Sequence, residues 1–188
     1  MMAEEGLRAF VIAMHREHGV LLLQAEKRKK GVHFQLPGGR IDKQEVDQYG
    51  NSLEGAQRAA AARELFEETG IDLRGESSSR LIRLDFPESL QSSIGNRRCF
   101  FFLDLCDEDA PSADHDSQRP ITGEDFKLKI SKEHIGFMFE RNIERAAVAV
   151  KKHSGGKCSK ALHAVAAMSD VRRKIKDDSN NNNNNNKK

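Results

Sequence analysis

Apolar positions along this chain fall into short strand-like runs, a central helical repeat, and a second helical stretch near the end. The runs Leu7–Met14 and Val20–Ala25 flank the polar Arg16-Glu17-His18-Gly19, which predicts a β-hairpin. A basic stretch, Lys27–Lys30 with Gly31, leads into a short strand at Val32–Leu36 that ends on Pro37-Gly38-Gly39. Residues 40–52 are polar and carry Gly50 and Asn51, so an inserted loop is expected there. From Leu53 to Thr69 the chain is rich in Ala, Leu, Glu and Arg, the strong helix formers, and Gly70 stands where a helix-terminating glycine belongs.

Strands are expected at Arg80–Asp85 and Arg98–Leu105, and the cluster Phe100–Phe102 reads as core rather than as a base-stacking platform. Residues 107–119 are acidic and contain Ser and Pro, a loop composition. Phe126–Ile130 and Gly136–Phe139 predict two more strands. Asn142–Lys152 and Ser159–Val171 carry helical spacing, with His153-Ser154-Gly155-Gly156 as the break between them. A tail at 173–188, with seven consecutive asparagines, cannot build a core, which leaves one domain over 1–172.

At 188 residues the chain is long enough to bury a single substantial core. Lys and Arg number 31 against 29 Asp and Glu, a net charge of +2. So small an excess offers no support for a nucleic-acid partner held by the overall field. Cys99, Cys106 and Cys158 sit at no metal-ligand spacing and fit a reducing compartment. No stretch approaches the roughly 20 apolar residues of a membrane span. The acidic start, Met-Met-Ala-Glu-Glu, is unlike a secretory signal, so a cytoplasmic location is expected.

The central helix carries the chemistry. At about 100° per residue, Glu67 and Glu68 fall about 60° to one side and 40° to the other of Glu64, so three carboxylates share one face. Like charges at these spacings destabilise a helix, and near its C-terminal end the macrodipole disfavours them further. A solvated acidic face is the bland explanation. A hard divalent cation, Mg²⁺ or Mn²⁺, is the alternative, because such ions prefer oxygen ligands.

The string Arg63-Glu64-Leu65-Phe66-Glu67-Glu68-Thr69-Gly70-Ile71 resembles the second half of the Nudix box, Arg-Glu-U-x-Glu-Glu-x-Gly-U with U aliphatic. Every fixed position is met, and Leu36-Pro37-Gly38-Gly39 resembles the segment that leads into the box. The resemblance covers roughly residues 7–152. It implies an α/β fold, a mixed β-sheet between helices in an α/β/α sandwich, and hydrolysis of a nucleoside diphosphate linked to another group. By the same resemblance Glu64, Glu67 and Glu68 would bind the metals or orient the attacking water. Arg63 would hold a box glutamate by a salt bridge, and Gly38 or Gly39 would offer a carbonyl.

The leading half departs from the pattern, which puts five residues between glycine and the first glutamate and seven before the arginine. Gly39 and Arg63 enclose 23 residues, ten too many, and Gly55 occupies the position eight before Arg63. Glu54, one residue out, is a candidate substitute. A longer loop is the simplest account, since loop-closure cost grows slowly with length.

Outside the box, Ser131-Lys132-Glu133-His134 resembles a Glu-His segment of some relatives. Glu133 is thereby the first candidate for an auxiliary metal ligand or general base, and Glu124 the second, each weighed against a plain exposed loop glutamate. Lys151–Lys157 lacks the glycine a Walker A loop needs five residues before Gly-Lys, so it reads as an interhelix break. Pro87, sixteen residues past Ile71, resembles a proline of ADP-ribose-cleaving relatives, which implies an ADP-ribose-like substrate, while the resemblance at Glu133-His134 implies dinucleoside polyphosphates. The expected partner is a small-molecule nucleotide, with room left for a homodimer and none implied for a membrane. A non-catalytic nucleotide-binding module on the same fold is the rival reading, supported by the irregular leading half.

Overall fold

The computed structural model describes residues 6–28, 31–50, 52–106 and 128–168. Strand β1 (Arg8–His15) turns into β2 (Gly19–Lys27), and the two pair only next to the turn, at Met14↔Val20 and His15↔Gly19. Beyond that point they part. β2 pairs with β3 (Gly31–Gln35), and β1 with β4 (Gly38–Arg40), which follows β3 almost directly. On its other side β1 runs parallel to β6 (Arg98–Asp104) over its length, from Arg8↔Arg98 to Met14↔Asp104. β5 (Ile82–Arg83) pairs antiparallel with β6, and β7 (Gly136–Glu140) with β2. The sheet is mixed and seven-stranded.

Helices cover both faces. Alternation along β1 sends Ala9, Val11 and Ala13 into one core with Leu21, Phe101 and Leu103. That core is closed by α2 (Leu53–Thr69) through Ala56, Ala60, Ala61 and Leu65, whose small side chains let the helix lie close to the strands. Phe10 and Ile12 join the opposite core with Leu22, Leu36 and Phe100. It is closed by α3 (Glu88–Ile94), α4 (Ile143–Ala149), the 3₁₀ turn Val150–Gly156 and a helix at 157–168. A strand buried on both faces reads as a continuous apolar run, which is why β1 was plain in the sequence. Phe100 and Phe101 are fully buried, as core residues should be.

The α/β expectation and the bounds of α2 hold. The helix starts where Ser52 Oγ accepts from Gly55 N–H, and ends with Gly70 in the left-handed region at φ 78. Three local readings are corrected. Residues 40–52 are no loop: they hold α1 (Lys43–Tyr49), opened by the Asp42 N–H donating to Glu45 Oε2 at 2.8 Å. None of its residues is buried, so no apolar periodicity could announce it. The strand expected at Arg80–Asp85 is two residues long, because 75–80 coil into a 3₁₀ turn. Residues 128–130 are not a strand, and the rest of the expected 126–130 strand, the loop at 107–119 and the tail at 173–188 lie outside the described residues.

Candidate active site

The site lies where the strand-to-strand step at Pro37-Gly38-Gly39 meets the last two turns of α2. Gly38 N–H donates to Glu68 Oε2 at 2.8 Å, and the Glu64 carboxylate lies directly against Gly39. A Cβ on Gly39 would collide with that carboxylate, and Gly38, at φ 139, would meet β1 backbone. Both glycines are required, Gly38 by the close approach of β1 and its positive φ and Gly39 by the Glu64 carboxylate.

Arg63 organises the remaining carboxylates. Its Nε donates to Glu45 Oε1 at 2.8 Å, and its Nη1 to Glu64 Oε1 at 3.1 Å and Glu67 Oε2 at 3.2 Å. Nη2 donates to the Arg40 carbonyl at 2.9 Å. Burial alone would lower the guanidinium's pKa, but the Glu45 hydrogen bond and the charges of Glu64, Glu45 and Glu67 outweigh it and raise the value. This planar fork, with five donors in fixed directions, suits one residue tying several carboxylates to a backbone oxygen.

The carboxylates differ in surroundings although they share one helix face. Glu67 is half exposed, at 53 %, whereas Glu68 is buried. Burial, helped by the negative charges of Glu64, Glu133 and Glu67 and resisted by the Gly38 hydrogen bond, pushes Glu68 up to about 8. Burial likewise raises Glu64, against the pull of Arg63. Glu68 Oε1 also lies 3.4 Å from His134 Nε2, and burial lowers that imidazole's pKa. Cys99 and Cys158 are buried thiols pushed up to about 12, unsuited to act as nucleophiles.

A scan against family profiles matches the NUDIX domain over residues 5–127, about two-thirds of the chain. The chain belongs to the Nudix family. Comparison with curated proteins gives no match. Among solved structures it is similar to a NUDIX hydrolase from Nitrosomonas europaea, at 14% identity and TM-score 0.48, covering 86% of this chain and 89% of that one. A NUDIX hydrolase from Alicyclobacillus acidocaldarius gives 13% identity and TM-score 0.47, covering 86% and 93%. A pyrophosphohydrolase from Bacillus subtilis gives 16% identity and TM-score 0.41, covering 88% and 85%.

Of the residues singled out by the Nudix resemblance, Arg63, Glu64, Glu67, Glu68, Gly38 and Gly39 come together. Glu133 stands on an exposed turn beside them, near enough for its charge to act on Glu68 and His134. Glu124 lies outside the described residues. Glu54 is turned away: it pairs with Arg58 at 2.6 Å, one turn further along α2. The leading-half glutamate that meets Arg63 is Glu45, not Glu54. Its signal was present, since residues 40–44 between Gly39 and Glu45 are the five that the Nudix pattern requires. The ten extra residues lie after Glu45, not before it. Counting backwards from Arg63 across the insertion led to Gly55, whose lack of a Cβ instead makes room for the Tyr49 ring of α1.

Among the described residues, no three His, Cys, Asp or Glu side chains converge as a ready metal cage. Arg63 and the Gly38 amide occupy their oxygens instead. The donor chemistry nevertheless fits a hard cation. Buried, mutually repelling carboxylates with raised pKa values are the groups whose anionic forms a divalent ion would favour.

Proposed function

We propose that this Nudix protein is a metal-dependent pyrophosphohydrolase, splitting a phosphoanhydride bond in a nucleoside-diphosphate-linked substrate by attack of water at phosphorus. The observation that carries this reading is that Glu68 and Glu64 lie against the Gly38-Gly39 backbone while Arg63 ties Glu64 and Glu67 together on the same helix face. Glu64, Glu67 and Glu68, with a carbonyl of Gly38 or Gly39, would hold Mg²⁺ or Mn²⁺. Such an ion supplies charge neutralisation at the phosphate oxygens and a more acidic water.

The protein's own groups then have separate tasks. Arg63 fixes the side chains of Glu64 and Glu67, and Glu45 holds Arg63 in turn. Gly38 N–H orients Glu68. Glu133, on its exposed turn beside Glu68, would take a proton from the attacking water or add an auxiliary oxygen ligand. No covalent enzyme intermediate is required. ADP-ribose-like compounds and dinucleoside polyphosphates are the substrate classes to try first.

The test is hydrolysis of a panel of nucleotide sugars, dinucleoside polyphosphates, coenzyme A and nucleoside triphosphates, with each metal, in ¹⁸O-labelled water. Metal-dependent turnover with label on a product phosphate supports the proposal. Calorimetry showing nucleotide binding without turnover, both metals present, would instead favour a non-catalytic module.

A further inference from the structure

Residues 128–135 cross the exit of α2 and are stitched to it by backbone. Lys129 N–H donates to Thr69 O at 3.0 Å, and Ser131 N–H to Glu68 O at 3.2 Å. These are carbonyls that a helix end leaves without an internal partner. A turn closed by His134 N–H on Ser131 O at 3.1 Å brings the His134 ring inward, and Ile135 N–H on Gln24 O at 2.8 Å joins the segment to β2. The backbone therefore delivers one imidazole to the buried side of Glu68.

That ring is held at both nitrogens. Nδ1 lies 3.0 Å from Ser131 Oγ, and Nε2 lies 2.6 Å from the Gln35 amide and 3.4 Å from Glu68 Oε1. As placed, the Gln35 amide nitrogen donates to Nε2, leaving the ring proton on Nδ1 for Ser131. Turned over, the amide would present Oε1, which has no hydrogen-bond partner among the described residues, to an Nε2–H that also faces Glu68. In either arrangement the ring plane is fixed from both ends. A side chain buried to 1 % exposure, between an amide from β3 and a hydroxyl from its own turn, has little freedom to move away from Glu68.

We propose that His134 is a positioning residue for Glu68, clamped by Gln35 and Ser131, and that it sets the pose in which this carboxylate serves the site. The inference rests on the hydrolase reading above. Partners of ligating carboxylates typically affect metal affinity or activity by roughly 10–100-fold. His134→Ala should therefore weaken binding of Mn²⁺ alone, measured by calorimetry, and lower kcat by about that factor, while KM shifts less than ~3-fold. His134→Gln, which keeps a polar group near the Nε2 position, should recover most of both. Gln35→Leu should lower both on its own, and add little further loss in the His134→Ala background, because the two act through one contact.

Wild-type kcat and Mn²⁺ affinity in His134→Ala would overturn the proposal, as would a loss that His134→Gln leaves unrecovered. If His134→Ala does not fold, Gln35→Leu decides: unchanged kcat and Mn²⁺ affinity overturn the role. Glu68→Gln separates the two readings. Full turnover in that variant sinks the hydrolase mechanism, whereas an inactive Glu68→Gln beside a normal His134→Ala sinks only the positioning role.

Discussion

A long helix and a short one meet at Arg63, and they are built on opposite principles. The last turns of α2 are packed against the sheet, with Leu65 fully buried beneath the acidic face. α1 lies on the surface, buries none of its residues, and leaves Val46 and Tyr49 each 38% exposed. Yet both supply carboxylates to the same guanidinium, Glu64 and Glu67 from one side and Glu45 from the other. The difference teaches that a rigid element can set the geometry while a marginal one completes it. An insertion is tolerated between them because the Glu45 contact is closed through space.

The sharpest way to break this comparison is to remove a carboxylate from the packed side. Glu64→Gln should cut turnover by at least ~100-fold with the fold intact, as judged by circular dichroism and steady-state rates. A stability comparison comes next. Leu65→Ala should cost about 2–5 kcal/mol in denaturant unfolding, whereas Val46→Ala on α1 should cost less than ~0.5 kcal/mol.

The buried carboxylate should also leave a mark on stability against pH. Glu68 is raised from 4.5 to about 8 in the fold, so the folded state holds its proton more tightly than the unfolded chain. Metal-free protein should then be most stable below about pH 4.5 on account of this group and lose that contribution as pH rises towards about 8. Saturating Mg²⁺ or Mn²⁺ should flatten the slope, and Glu68→Gln should remove it, as read from melting temperatures across pH. The smallest effect sharpens the comparison most. Glu45→Gln should lower kcat by about 10-fold by loosening Arg63, while Glu54→Gln, which only frees Arg58, should change it less than ~2-fold.

Much of the fold was legible because it follows periodicity. β1, β2 and β6 are apolar runs, and α2 carries helix formers between Ser52 and Gly70, so their existence and type could be read directly. The second half of the box was legible because its residues sit on one helix, where spacing in sequence is spacing in space. The leading half was missed because the count ran backwards from Arg63 through the insertion, whereas five residues forward from Gly39 lead to Glu45. α1 escaped because an exposed seven-residue helix has no buried face to mark it. Gln35 escaped for another reason: its importance lies in a hydrogen bond to His134, in a segment 99 residues further along the chain.

One measurement tests the central claim most directly: turnover of the best panel substrate by wild type and Glu68→Gln, each with and without Mg²⁺ or Mn²⁺. The account predicts hydrolysis by the wild type only when metal is present, and loss of that activity in Glu68→Gln although the variant folds and binds nucleotide. Full metal-dependent turnover by Glu68→Gln would contradict it.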